Sequence, residues 1–169
     1  MSNGYYYLIS SLNELNLTDK NVQFDLISYR DFILDTLDAK DARQLKILYY
    51  PYDITNLCNL IKKKEVDWDK AGNYSRSALE AMLEEPTTFP DFFLPFYEET
   101  HTNWEEWSVK QLSNYATTLY NDWSLIKSNV FLKKWLEFDQ NLNNLLVYLN
   151  SDKFNLSSKE EILGNNIEA

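Results

Sequence analysis

The second half of the chain carries two matching apolar rhythms. Leu112, Ala116, Leu119, Trp123 and Ile126 recur at alternating steps of four and three within Trp104 to Ile126. After the polar break Lys127-Ser128-Asn129 the rhythm restarts with Phe131, Trp135, Phe138, Leu142, Leu145 and Leu149. Such spacing gathers apolar residues on one side of a helix, as a seam for lengthwise packing on a partner. Two helices of about 35 Å each, joined by about three residues, are expected to pack as an antiparallel hairpin. Trp123, Trp135 and Phe138, at seam positions, are expected in its core.

The first half is more broken. Ser28, three residues before Asp31, is expected to open a helix whose Phe32, Ile33, Leu34 and Leu37 share a side. A second helix covers Ala39 to Tyr49 and should stop at Pro51, which disfavours helix before it. Asp53 then suits an N-cap. Leu57, Leu60 and Ile61 form the stripe of that helix, and Lys62, Lys63 and Lys64 sit at its C-terminal dipole. Residues 67–74, with Gly72, read as a loop, and Ser75 begins a helix to Glu84. Pro86, Pro90 and Pro95 punctuate a stretch rich in phenylalanine, expected to be a packed connector with a short helix after Pro90. Tyr5 to Ile9 fits a strand or the first turn of a buried helix. Near the end, Ser157 with Glu160, or Ser158 with Glu161, forms a capping box before a Gly164 stop. That last short helix has little to pack on, as in one section of a longer polypeptide.

The expected organisation is a helical lobe over 1–85, a connector over 86–103, and a hairpin plus terminal helix over 104–169. The fold class is all-α, a bundle of about seven or eight helices. Composition agrees: three glycines and four prolines in 169 residues are too few for a turn-rich β fold, and 44% hydrophobic residues exclude a disordered chain. A chain of this length buries roughly 70% of its unfolded surface and needs no staple.

Charge narrows the partners. Residues 1–85 carry ten Lys/Arg against fourteen Asp/Glu (−4) and residues 86–169 six against twelve (−6), giving the net −10. Neither half offers the basic cluster that nucleic acid or anionic lipid requires. Cys58, the single cysteine, excludes an internal disulfide and suits the cytoplasm. The start lacks the basic region of a signal peptide, and no stretch approaches eighteen consecutive apolar residues.

Catalytic chemistry is hard to assemble from these residues. His101, the one histidine, lies in a polar stretch, and Cys58 has no histidine near it in sequence. No Cys/His cluster fits zinc, no acidic run fits a calcium loop, and no glycine-rich loop fits a phosphate. No catalytic, cofactor-binding or metal residue is assigned, and no small-molecule substrate. The pairs Glu84-Glu85, Glu98-Glu99, Glu105-Glu106 and Glu160-Glu161 read as solvated charge, or as a rim facing a basic partner. The 26 aromatic residues exceed what one core absorbs, so some should anchor an interface. Tyr5, Tyr6, Tyr7, Tyr49, Tyr50 and Tyr52 are divided between core and interface, and Lys62, Lys63 and Lys64 between a solvated helix end and a binding patch.

The block YYPYDITNLCNLIKKK (residues 49–64) resembles an element that recurs in the C (or d) subunit of V-type ATPases, the socket of the central stalk on the membrane rotor ring. Tyr52, Asp53, Asn56, Leu57 and Lys62 match it, Gly72 to Ser75 match the loop and cap that follow, and Tyr5 and Tyr7 match the family's opening. Trp135 to Gly164 is similar to a next copy, echoed by Phe138-Asp139 and Asn141-Leu142. Ser10, Ser11 and Asn13 stand where the family has basic residues. The chain has room for about one and a half of the family's three lobes and is similar to short, uncharacterised bacterial relatives encoded with V-type ATPase genes. The resemblance implies a non-catalytic rotor component of a proton- or sodium-translocating ATPase. It would be cytoplasmic, peripheral on the inner face of the membrane, with stalk and ring subunits as partners. A helical adaptor of another complex, using the aromatic patch, is the alternative.

Overall fold

A computed structural model describes residues 5–12 and 25–154. Within them the regular structure is eight α-helices and one 3-10 turn: α1 (Tyr6–Ser11), α2 (Leu26–Thr36), α3 (Ala39–Ile47), α4 (Tyr50–Ile61), α5 (Arg76–Glu84), the turn Pro86–Thr88, α6 (Phe93–Thr100), α7 (Val109–Lys127) and α8 (Val130–Phe154). The expected all-α bundle is therefore present, and among the described residues there is no strand. The capping boxes at Ser157 and Ser158, and Gly164, lie outside the described residues.

Several boundaries differ from expectation, each for a local reason. The ambiguous opening is helical, with Leu8 turned inward and the Tyr5 hydroxyl donating to Asp41 Oδ2 at 2.8 Å. Asp25, three residues upstream of Ser28, caps α2 by accepting from the N–H groups of Ile27 and Ser28. A carboxylate that takes two orphan donors outcompetes a serine cap further in. Pro51 starts a helix: α3 stops at Ile47, and Pro51 sits in the first turn of α4, where a missing N–H has no bond to lose. Asp53 is correspondingly one turn inside α4 and does not cap it. Ser75 caps α5 as expected. The long hairpin begins later than the rhythm suggests, because the Ser108–Gln111 capping box sets the start of α7 at Val109.

The core is built where α7 crosses α4 and α6. Ile54 and Leu57 of α4, Leu79 of α5, Phe93 and Phe96 of α6, and Leu112 and Ala116 of α7 are fully buried. Each of the leucine, isoleucine and phenylalanine side chains contributes roughly 1.5–3 kcal/mol by leaving water, and the Ala116 methyl about 0.8 kcal/mol. The proline-rich segment supplies the aromatic centre: Phe92 lies 4.3 Å from Phe93 and 5.0 Å from Trp123, ring centre to ring centre. Tyr50 meets Phe92 and Trp123 edge-on at 5.0 and 5.6 Å, a favourable arrangement for ring quadrupoles.

The hairpin turn between α7 and α8 is clipped from outside. Gln44 of α3 donates to the Lys127 carbonyl (3.0 Å) and accepts from the Asn129 N–H (2.6 Å), while Asn129 Oδ1 accepts from the Leu132 N–H (2.9 Å).

One expectation fails here. The apolar rhythm of α8 does not enter the core. Phe131, Trp135, Phe138, Leu142, Leu145 and Leu149 are between 42 and 79% exposed. Leu132, Leu136, Asn144 and Ser151 are turned inward instead. The reason lies in α7, whose buried face of Leu112, Ala116, Tyr120 and Ser124 is occupied by α4 and α6. On that helix Trp123 packs against the core while Ile126 is exposed. No free apolar stripe remains on α7 to receive that of α8.

Candidate interaction surface

The residues singled out in α4 do not form a reactive centre; they hold a loop. Asp53 is fully buried, and its carboxylate accepts from the Asn73 N–H (2.9 Å), the Tyr74 N–H (3.1 Å) and Asn73 Nδ2 (2.8 Å). Asn56 pairs with the backbone of Asp69 in both directions, donating to its carbonyl at 2.8 Å and accepting from its N–H at 3.0 Å. Leu57, on the same helix, is buried in the core. Gly72 is required by closeness alone, since a Cβ there would collide with Asp53 Oδ1.

Arg30 of α2 completes this arrangement. Its Nη1 donates to the carbonyls of Ala71 (2.6 Å) and Gly72 (3.0 Å), and its guanidinium lies 5.3 Å from the centre of the Tyr49 ring. Nothing local in sequence marks Arg30, because its contacts with the loop bridge 40 to 42 positions. Burial pushes the Asp53 carboxyl above its ordinary value, against the opposing pull of the donors at Asn73 and Tyr74 and of Arg30. Burial likewise pushes the Cys58 thiol up to about 12.

The remaining candidates separate into core and surface. Tyr50, considered for an interface, belongs to the aromatic core, and Tyr49 is half-buried beneath Arg30. Lys62 is a latch, its Nζ donating to the carbonyls of Trp104 (3.0 Å) and Glu105 (3.3 Å). Lys63 and Lys64 are exposed, and Lys63 takes φ of 50° at the end of α4. The N–H of Lys63 donates to the Leu60 carbonyl and that of Lys64 to the Asn59 carbonyl, a Schellman ending with lysine where glycine is usual. His101 is exposed and stacks on Tyr97.

Among the described residues, exposed apolar side chains gather on α1 and α8. On α1, Tyr6, Tyr7 and Ile9 are exposed. On α8 the six-residue apolar face runs most of the helix, beside a cleft of about 470 Å³ where α8 stands off from α7 and the start of α4. Tyr49, Tyr52, Tyr120, Trp135, Asp139 and Asn143 are among its walls. Its titratable groups are three tyrosines and Asp139, with no histidine or cysteine beside them. Tyr120 is committed to the fold, donating to the Ile47 carbonyl at 3.0 Å. The echo of the α4 element in α8 also differs in burial: Phe138, Asp139, Asn141 and Leu142 are exposed where Asp53, Asn56 and Leu57 are buried.

These features define an all-helical protein whose buried Asp53 and Asn56 serve its own architecture and which exposes an apolar face on α8. Among the described residues no group of three or more His, Cys, Asp and Glu is placed to hold a metal, and no helix is long and apolar enough to cross a membrane. The chain belongs to the family described as Protein of unknown function (DUF2764), which matches residues 1–168. No curated protein and no solved structure matches it.

Proposed function

We propose that the protein is a non-catalytic subunit of a V-type ATPase, coupling the soluble central stalk to the membrane rotor ring. The observation that supports this reading is the meeting of the residues that carry the resemblance. Tyr52 to Leu57 and Gly72 to Ser75, matched as separate strings, form one device in which Asp53 grips Asn73 and Tyr74 and excludes a side chain at Gly72. Tyr5, from the matched opening, is likewise tied to α3 through Asp41.

In this reading the α4 core makes the body stiff, so torque passes through it as through a rigid spacer. Contact with the stalk and ring is made by exposed aromatic side chains, with Tyr6 and Tyr7 of α1 foremost. The protein is held at the cytoplasmic face of the membrane through its complex. Tagged protein isolated from its native host should retrieve stalk and ring subunits together. Tyr6→Ala with Tyr7→Ala, both exposed and so neutral for folding, should reduce that recovery at least about tenfold. Retrieval of unrelated proteins alone would reject the assignment. It would favour instead an adaptor of another complex, a reading supported by the exposed apolar surface without regard to the resemblance.

A further inference from the structure

We propose that α8 pairs with α8 of a second copy of this chain, antiparallel, through the face of Phe131, Trp135, Phe138, Leu142, Leu145 and Leu149. This goes beyond the rotor reading and does not depend on it. The first argument is size. Taking about 150–250 Å² for a whole aromatic side chain, the exposed parts of these six residues amount to roughly 700 Å² of apolar surface. The largest patch on a monomer is usually about 300–600 Å², whereas one side of a standard interface is about 800 Å².

The second argument is the order of the residues. The three aromatic side chains occupy the first half of the face and the three leucines the second half. An antiparallel copy, related by a two-fold axis near Gln140, sets Phe131 against Leu149, Trp135 against Leu145, and Phe138 against Leu142. Every layer then holds one large and one smaller residue, and the helices keep a uniform separation. Parallel pairing would stack aromatic on aromatic at one end and leucine on leucine at the other, splaying the helices. The flanks fit the same axis: Lys134 approaches Tyr148 of the second copy, and Asn141 meets its own counterpart. Asp139 of each copy also lies near the axis, so added salt, which screens like charges, should strengthen the pair.

Light scattering on the full chain should give twice the monomer mass of 20.1 kDa at micromolar concentration. Phe138→Glu with Leu145→Glu, at exposed positions, should raise the dissociation constant at least about 100-fold while leaving the helical circular dichroism unchanged. Orientation is read by oxidation: Trp135→Cys mixed with Leu145→Cys should cross-link, and neither should cross-link with itself. The native Cys58 is buried and does not interfere. A monomer at every concentration overturns the proposal, whether residues 155–169 or another protein then covers the face. Self-cross-linking of either single variant, the mark of parallel pairing, overturns it as well.

Discussion

At the scale of single residues, the buried polar side chains of α4 hold the loop that returns to that helix. Asp53 carries the clearest consequence. Its folded carboxyl holds a proton to higher pH than in the unfolded chain, where the ordinary value is 3.8. Folding therefore takes up a proton in the window above 3.8, and this stabilising contribution, complete below that value, is lost as pH rises through the folded value. Comparing urea unfolding of the wild type with Asp53→Asn across mildly acidic pH should show the wild-type advantage shrinking as pH rises. Asp53→Ala leaves three donors without a partner and should cost about 3 kcal/mol at neutral pH. Lys63 gives a test of opposite sign. Because φ of 50° strains any side chain, Lys63→Gly should stabilise by about 1 kcal/mol, a rise in Tm of roughly 2–4 °C by calorimetry. Cys58, buried and with its thiol pushed up to about 12, should resist alkylation until the protein unfolds. Sequence picked out Asp53 and Asn56 but misjudged the work of Asp53. An aspartate near a helix start reads as a cap, and only the returning loop at Asp69 to Tyr74 reveals that these side chains face away from their own helix end.

At the scale of elements, the helices of α4, α5 and α6 and the loop with Gly72 were legible because their signals are local: a capping serine, a proline, a stripe of period 3.6. Boundaries moved where two signals competed. Pro51 is compatible with ending one helix or beginning the next, and the choice fell to α4 because Tyr50 and Ile54 are needed in the core. The capping box at Ser108 and Gln111 should contribute about 1 kcal/mol to α7, so Ser108→Ala should lower thermal stability by that amount. The hairpin of α7 and α8 was also legible, but not which way α8 faces. Periodicity states that an apolar seam seeks cover; it does not say whether the cover lies in the same molecule. Here α4 and α6 occupy α7, and the seam of α8 is left over.

At the scale of the whole molecule, one core joins residues from the lobe, the connector and the hairpin, and the proline-rich segment is its centre. The rotor role proposed above rests on resemblance, because physical reading of composition and charge reaches no further than an acidic helical protein. What the fold adds is a division between an interior that absorbs Asp53, Asn56 and Leu57 and an apolar face on α8 that stays exposed. The central claim is that the α8 face is no part of the monomer's own core. Urea unfolding of the wild type and of Phe138→Glu/Leu145→Glu over a range of protein concentration tests it most directly. The wild-type midpoint should climb with concentration, the variant's should stay constant, and the two should meet at the lowest concentration. A variant that loses several kcal/mol at every concentration would contradict the account, for its substitutions would then have broken the interior of a single chain.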